Sequence, residues 1–104
     1  MTDPQPLFTA LADPTRRAVF ERLSAEGPAS ASRLAEEMPV SRQAIAKHLA
    51  ALDEAGLVER TARGREVRYE ARPQALQEMT GWVEKVGRDW ETRLQRLKKM
   101  MDEA

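Results

Sequence analysis

Four consecutive residues near the middle of the chain, Met38-Pro39-Val40-Ser41, constrain the fold most strongly. A proline pushes the residue before it away from helical geometry, so a helix that contains Leu34 has to end by Met38. Serine is a preferred N-cap, so a new helix can begin directly after Ser41. The sequence therefore predicts two short helices joined by a turn of three residues.

The second of these helices is predicted to end near Ala55, where Gly56 supplies a left-handed terminator. Three of its apolar residues follow helical spacing and form one narrow stripe, which we expect to be buried: Ile45, Leu49 and Leu52. The opposite side is small, polar or basic and has no carboxylate: Gln43, Ala46, Lys47 and Ala50.

Negative charge is missing from residues 41–52, SRQAIAKHLAAL, although charged residues make up 33% of the chain and each sign contributes seventeen of them. A solvated helix normally intersperses both signs, whereas a helix that faces phosphates is expected to lack carboxylates. The positive end of the helix dipole at Ser41 would also favour a negatively charged partner. A polyanionic partner is the favoured interpretation, and a solvated surface that lacks acids by chance is the alternative.

Two further helices are predicted upstream. The segment PLFTALA, residues 6–12, forms the first. Asp13-Pro14 begins the second, because Asp13 can act as the cap and proline suits the first helical position, and Gly27-Pro28 ends it. Ser30 or Ser32 can then cap the short helix that ends before Pro39.

Residues 57–72, LVERTARGREVRYEAR, alternate with the period of a strand. Arg63-Gly64 lies between two such runs, and the glycine fits the second central position of a tight hairpin turn. The tip, ARGR, carries only positive charge. We therefore predict phosphate contacts at Arg63, Gly64 and Arg65, with a basic tip kept for solubility as the alternative.

From Pro73 onward the chain is predicted to be helical. An apolar seam runs along six turns: Met79, Val83, Val86, Trp90, Leu94, Leu97 and Met101. A seam of this length exceeds what a small core needs, so part of it is expected to pack against a second copy of the chain. Trp82 and Trp90 could line an effector cavity, but packing in the core or at the dimer interface is favoured.

The residue types available argue against an enzyme. The chain has one histidine, no cysteine and no glycine-rich phosphate loop, so no thiolate zinc site, cysteine nucleophile or disulfide framework can form, and no cofactor is predicted. Glu36-Glu37 could suggest acid–base chemistry, but helical neighbours point about 100° apart, so a solvated helix explains the pair better.

The N-terminus lacks the features of a signal peptide, and no apolar run approaches the ~18 residues of a membrane helix. We therefore expect a cytoplasmic protein with no membrane partner.

The order of elements defines a winged helix-turn-helix, mainly α with a small β-hairpin and a long C-terminal helix. At 104 residues the chain is expected to form one domain, residues 1–104. Residues 5–72 would hold the helical core, the reading helix that begins after Ser41, and the wing, which is the predicted hairpin. Residues 73–104 would form the dimerisation helix.

The segments LADPTRRAVFERL and RLAEEMPVSRQAIAKHLAALDEAGLVERTARGREVRYEARPQAL resemble the ArsR/SmtB family of bacterial transcriptional repressors, over about residues 7–76. The resemblance implies a homodimer, built mainly from the first and last helices, that binds double-stranded operator DNA near its own promoter. It implies base contacts from Ser41, Gln43, Ala44, Ala46 and Lys47. The dimer contacts would come from Leu7, Phe8, Val83, Val86, Trp90, Leu94 and Leu97.

Three basic side chains of the reading helix have open roles. For Arg42 and Lys47 we favour phosphate contact over an ordinary surface position. For His48, a packed or hydrogen-bonded structural role is favoured over a catalytic or metal-binding one, and contact with a DNA phosphate is the middle possibility.

The chain departs from the metal-sensing members of that family. Those members carry a Cys-x-Cys at the positions of Ser30-Ala31-Ser32, and the tail has no histidine to build the family's other metal site. Serine hydroxyls bind soft or borderline metals poorly. We expect a cysteine-free branch that does not sense metals, with any small-molecule effector unknown. A winged-helix scaffold that binds protein and not DNA is the alternative function.

Overall fold

The computed structural model describes residues 3–103. Within them a 3-10 turn, Pro73–Ala75, precedes the last helix. The helices and strands are α1 (Gln5–Ala12), α2 (Pro14–Glu26), β1 (Ala29–Ser30), α3 (Ala31–Glu37), α4 (Arg42–Glu54), β2 (Val58–Arg63), β3 (Glu66–Ala71) and α5 (Leu76–Asp102).

The helix boundaries lie where the capping residues predict them. The side chain of Asp13 accepts a hydrogen bond from the backbone N–H of Arg16 and begins α2. Ser41 accepts from the backbone N–H of Ala44 in the same way and begins α4. Met38 leaves helical geometry at φ −119° and ψ 147°, as a residue before proline should.

Of the two candidate caps for α3, the structure uses the first. Ser30 accepts from the backbone N–H of Arg33, and Ser32 lies inside the helix. Together these caps confirm the helix-turn-helix that the sequence predicts around residues 38–41.

A single apolar core contains residues from all four of the helices α1, α2, α3 and α4 and from the start of β2. Its members include Leu7, Ala10, Val19, Phe20, Leu23, Leu34, Ile45, Leu49, Leu52, Leu57 and Val58. Leu7, predicted at the dimer interface, is only 4% exposed in the single chain and lies in its core. Phe8 is half-buried, and its ring forms a T-shaped pair with the ring of Trp82 on α5, at a centroid distance of 5.3 Å.

The β-structure is larger than the predicted hairpin. The strand β3 lies in the centre of a three-stranded antiparallel sheet of order β1-β3-β2, with Ala29 opposite Tyr69. Two residues are too few to show an alternating pattern, so β1 leaves no signal in the sequence.

The turn register also differs from the prediction by one residue. Arg63 pairs with Glu66, so Gly64 is the first of two central turn residues, with φ 62°. A positive φ at the first position only is the pattern of a type II′ turn, for which glycine is preferred there.

Most of the last helix, α5, projects beyond the rest of the chain. With 27 residues α5 is about 40 Å long, and the molecule extends 70 × 28 × 20 Å. Only its first turns, at Leu76 and Met79, pack against the core, and no residue of α5 is buried. Within residues 3–103 no helix is both long and apolar enough to cross a lipid bilayer.

Candidate nucleic-acid interface

The two sides of α4 separate as the sequence predicts. Ile45, Leu49 and Leu52 have no exposed surface. The opposite side, formed by Gln43, Ala46, Lys47 and Ala50, is exposed. The apolar packing therefore fixes the helix through one side and leaves the acid-free side open to a partner.

A hollow of about 970 Å³, the wing cleft, separates α4 from the wing, which is the β2–β3 hairpin of residues 58–71. Five of the predicted DNA contacts line it: Arg42, Gln43, Ala46, Arg63 and Arg65. Sequence positions some twenty residues apart thus meet at one surface. Of the others, Ser41, Lys47 and Gly64 are exposed but do not line the cleft, and Ala44 is half-buried.

Six lining residues of the wing cleft were not foreseen: Ser30, Ala31, Ser32, Glu66, Val67 and Tyr69. The strand alternation of β3 places Val67 and Tyr69 on one face, and this pattern could have pointed to both. Ser30 reaches the cleft only through the pairing of β1 with β3, opposite Arg68, which no local pattern reveals.

The wing cleft has an uneven charge distribution. It contains three arginines and one carboxylate, Glu66, which lies 3.3 Å from Nε of Arg68. The first turn of α4 carries no acid, and its N-terminal end adds the positive pole of the helix dipole. The carboxylates of α4, Asp53 and Glu54, lie at its other end. The positive potential is therefore concentrated where α4 and the wing meet.

An ion-pair cluster holds the bracing helix α3 against α2. Nε of Arg22 lies 2.6 Å from Oε2 of Glu37, and its Nη2 donates to Oε1 at 3.2 Å. Its Nη1 also donates to the carbonyl of Gly27. The guanidinium of Arg22, followed by that of Arg33, lowers the pKa of the Glu37 carboxyl. Glu37 is therefore an exposed carboxylate that helps to hold the bracing helix in place through its two arginine partners.

His48 lies on the inner edge of α4. Its Nδ1 accepts a hydrogen bond from Nε of Arg16 at 3.4 Å, and the side chain is half-buried. The favoured structural role is therefore present, and it ties α4 to the start of α2. In the same corner the backbone N–H of Arg16 lowers the pKa of Asp13, and the nearby His48 contributes in the same direction.

The positions that carry metal-binding thiols in the metal-sensing members are occupied by hydroxyl groups. Ser30 is engaged as the cap of α3, and Ser32 faces the wing cleft. Across residues 3–103, no three histidine, cysteine, aspartate or glutamate side chains converge in a way that could hold a metal ion.

Comparison with known proteins places this geometry in a family. A helix-turn-helix domain model matches residues 11–61. The HTH-type transcriptional regulator Rv2034 of Mycobacterium tuberculosis is 47% identical over 74 residues, which cover 70% of this chain and 67% of that protein. The transcriptional repressor SdpR of Bacillus subtilis is 30% identical over 77 residues, covering 74% of this chain and 84% of that protein.

The fold agrees with the sequence relationship. An ArsR-like transcriptional regulator from Rhodococcus sp. RHA1 has a TM-score of 0.84 and 44% identity, with 92% of this chain and 90% of that one covered. This neighbour spans the long C-terminal helix as well as most of the winged body, since so little of either chain is left out. The chain belongs to the ArsR family of winged helix-turn-helix, DNA-binding transcriptional regulators.

Proposed function

We propose that this regulator is a homodimeric, sequence-specific repressor whose operator has two half-sites. The observation that carries the DNA contact is the wing cleft, where the acid-free side of α4 and three arginines form one surface. A major groove about 12 Å wide admits one helix, and the hairpin beside it can reach a neighbouring backbone.

Within that proposal the contacts divide into two kinds. The exposed amide of Gln43 is the best base reader, because it can pair bidentately with adenine. Base contacts would also come from Ser41, Ala44 and Ala46. The family resemblance implies a base contact for Lys47 as well, but its ammonium favours a phosphate. Phosphate contacts would come from Arg42, His48, Arg63, Gly64 and Arg65.

The dimer would form along α5. Its large apolar side chains are about half exposed in the single chain, with Val83 at 54%, Trp90 at 57%, Leu94 at 56% and Leu97 at 53%. The seam repeats every eleven residues, from Met79 to Trp90 to Met101. That repeat corresponds to 3.67 residues per turn, so the seam stays almost straight along the helix. Val86, a member of the seam, is half-buried, and so is Phe8 on α1.

The charges of α5 favour an antiparallel pair. Residues 76–91 carry four carboxylates and two cations, whereas residues 92–101 carry four cations and no carboxylate. In an antiparallel arrangement the basic half of one helix would face the acidic half of its partner. Opposite charges at the edges of an apolar seam set the orientation of paired helices.

Repression, and the lack of catalysis, are inferred from the relatives. SdpR is named a transcriptional repressor and Rv2034 a transcriptional regulator. With serines at the thiol positions, regulation would not depend on a metal ion.

The test is a gel-shift titration of the full chain on the DNA upstream of its own gene, with a scrambled duplex of equal length and composition as the control. We expect a salt-sensitive shift that the scrambled duplex does not compete away. Gln43→Ala should cost about 1–3 kcal/mol on the upstream DNA and much less on the scrambled duplex. Equal losses on both would reassign Gln43 to the backbone, and the absence of any selective shift would refute operator binding.

The scaffold alternative is tested through salt. Replacing Arg63 and Arg65 together with glutamine should reduce the slope of log affinity against log salt by about two contacts. An unchanged slope would favour a wing that does not touch DNA.

A further inference from the structure

The exposed side of α4 offers chemically distinct groups to the floor of a groove. It carries one amide, from Gln43, one ammonium, from Lys47, and two methyl groups, from Ala46 and Ala50. The roles assigned so far leave the methyl group of Ala50 unused, although it is as open to a partner as Gln43.

The two methyl groups lie on one line of α4. Ala46 and Ala50 are four residues apart, about 6 Å along the helix axis, so both would face the floor of a groove that admits α4. In the major groove the only methyl group is that of thymine C5, and an alanine side chain is one of its usual contacts.

The cations of α4 that could favour guanine are assigned to phosphates. Bidentate reading of guanine is performed by arginine or lysine. Arg42 lines the wing cleft beside Arg63 and Arg65, and for Arg42 and Lys47 alike phosphate contact is the favoured role. With both cations on the backbone, the exposed side offers the bases an amide suited to adenine and two methyl groups suited to thymine.

We infer that α4 selects A·T pairs at the centre of each half-site, with Gln43 pairing with adenine while Ala46 and Ala50 contact thymine methyl groups. This inference rests on the proposed operator binding and specifies the bases that the same surface accepts. The carboxylates of Asp53 and Glu54 limit the reading surface, because the acid-free run ends one residue before them.

The experiment removes the methyl group from the DNA and leaves the protein unchanged. The probe is the duplex that the full chain selects from a random library, and each thymine is replaced in turn by deoxyuridine. We expect two positions in each half-site where the replacement weakens binding about fourfold. This is the factor expected for about 0.8 kcal/mol per buried methyl group. Replacements outside those positions should leave the affinity unchanged.

A matched pair of variants assigns the contact to its residue. Ala50→Gly should bind the thymine and uracil duplexes equally at one of the two positions. Ala51→Gly should keep the discrimination, because Ala51 faces a hollow beside α1 and not the groove. Both variants carry the same helix-propensity cost of glycine, so the comparison controls for a loosened helix.

Different results separate the two proposals. A selected half-site with a G·C centre, or unchanged binding of every uracil duplex, overturns the thymine inference and leaves operator binding intact. If the library yields no preferred sequence, operator binding fails and the inference fails with it. Discrimination that persists in Ala50→Gly and in Ala46→Gly at both positions would also overturn it.

Discussion

The helices α4 and α5 carry the same kind of apolar periodicity, but only the apolar residues of α4 are buried within the chain. The stripe of α4, Ile45, Leu49 and Leu52, has no exposed surface. The seam of α5, from Met79 to Met101, is nearly three times as long, yet none of its residues is buried. The two helices also differ on their polar sides, because α4 lacks acids over residues 41–52 whereas α5 divides into an acidic and a basic half.

This difference teaches that periodicity identifies a face to be buried and does not identify the molecule that buries it. A chain of this size has one modest core, and the apolar stripe of α4 lies inside it, packed against α2, α3 and β2. Beyond Met79, α5 no longer packs against that core. Its remaining apolar groups, including Leu94 and Leu97, stay half exposed until something outside the chain covers them.

The largest expected effect separates the two helices directly. Leu49→Ala should lower the free energy of unfolding by about 2–5 kcal/mol, since it opens a cavity at a side chain with no exposed surface. Leu94→Ala removes the same atoms from a position that the single chain leaves open. Its cost should appear only while the dimer is populated and should vanish on dilution.

Urea unfolding of both variants at two protein concentrations measures this contrast. The penalty for Leu49→Ala should be the same at both concentrations. If the penalty for Leu94→Ala is equally insensitive to concentration, the seam of α5 is buried within one chain and the distinction between the helices is lost.

A charge in the seam should be the next largest effect. Leu94→Glu should weaken dimerisation about 100-fold or more, because a carboxylate would be desolvated without a partner at the centre of the interface. Binding to DNA with two half-sites should weaken with it. Thr92→Glu adds the same charge two residues away, about 200° around the helix, and should leave the dimer intact. Sedimentation equilibrium gives both constants, and equal effects from the two variants would contradict a seam-centred interface.

The sequence is sufficient where a structure depends on neighbouring residues. Asp13-Pro14, Ser41 and Gly56 define helix ends by their own backbone chemistry, and α2 and α4 begin and end within a residue of the predictions. The acid-free side of α4 could be predicted equally well, because the helical period determines from the sequence spacing which residues share one side of the helix.

The features that the sequence does not predict depend on contacts between residues far apart in the chain. The strand β1 exists only because Ala29 meets Tyr69, forty residues later. The ion pair of Arg22 with Glu37 joins two helices whose approach no local pattern specifies. The burial of Leu7 in the core shows the same limit, since one apolar helix face can be buried in the core or at an interface without any change in spacing.

A smaller effect distinguishes the polar sides of the same two helices. Lys47→Gln should lower DNA affinity and reduce the salt slope by about 0.9, the value expected for one released counterion. Lys85→Gln removes the same charge from α5, on the side away from its seam, and should leave the slope unchanged. Gel-shift titrations at several salt concentrations measure both. Equal slopes would place Lys47 outside the DNA-contacting surface.

The smallest effect concerns α3, which differs from both helices because ions help to hold it in place. Arg22 lowers the pKa of Glu37 in the folded chain, so this pair stabilises the fold above the ordinary pKa range of glutamate. That contribution should disappear as the pH falls through the lowered pKa of the folded state. Glu37→Gln should therefore melt below the wild type at neutral pH and approach it in acid.

Glu36→Gln removes the same charge from the adjacent residue, which points about 100° away, and provides the control for net charge. The penalty for Leu49→Ala involves no titrating group and should stay constant over the same pH range. If the melting difference for Glu37→Gln is equally constant, the carboxylate acts through packing, and α3 is held against α2 in the way that α4 is held in the core.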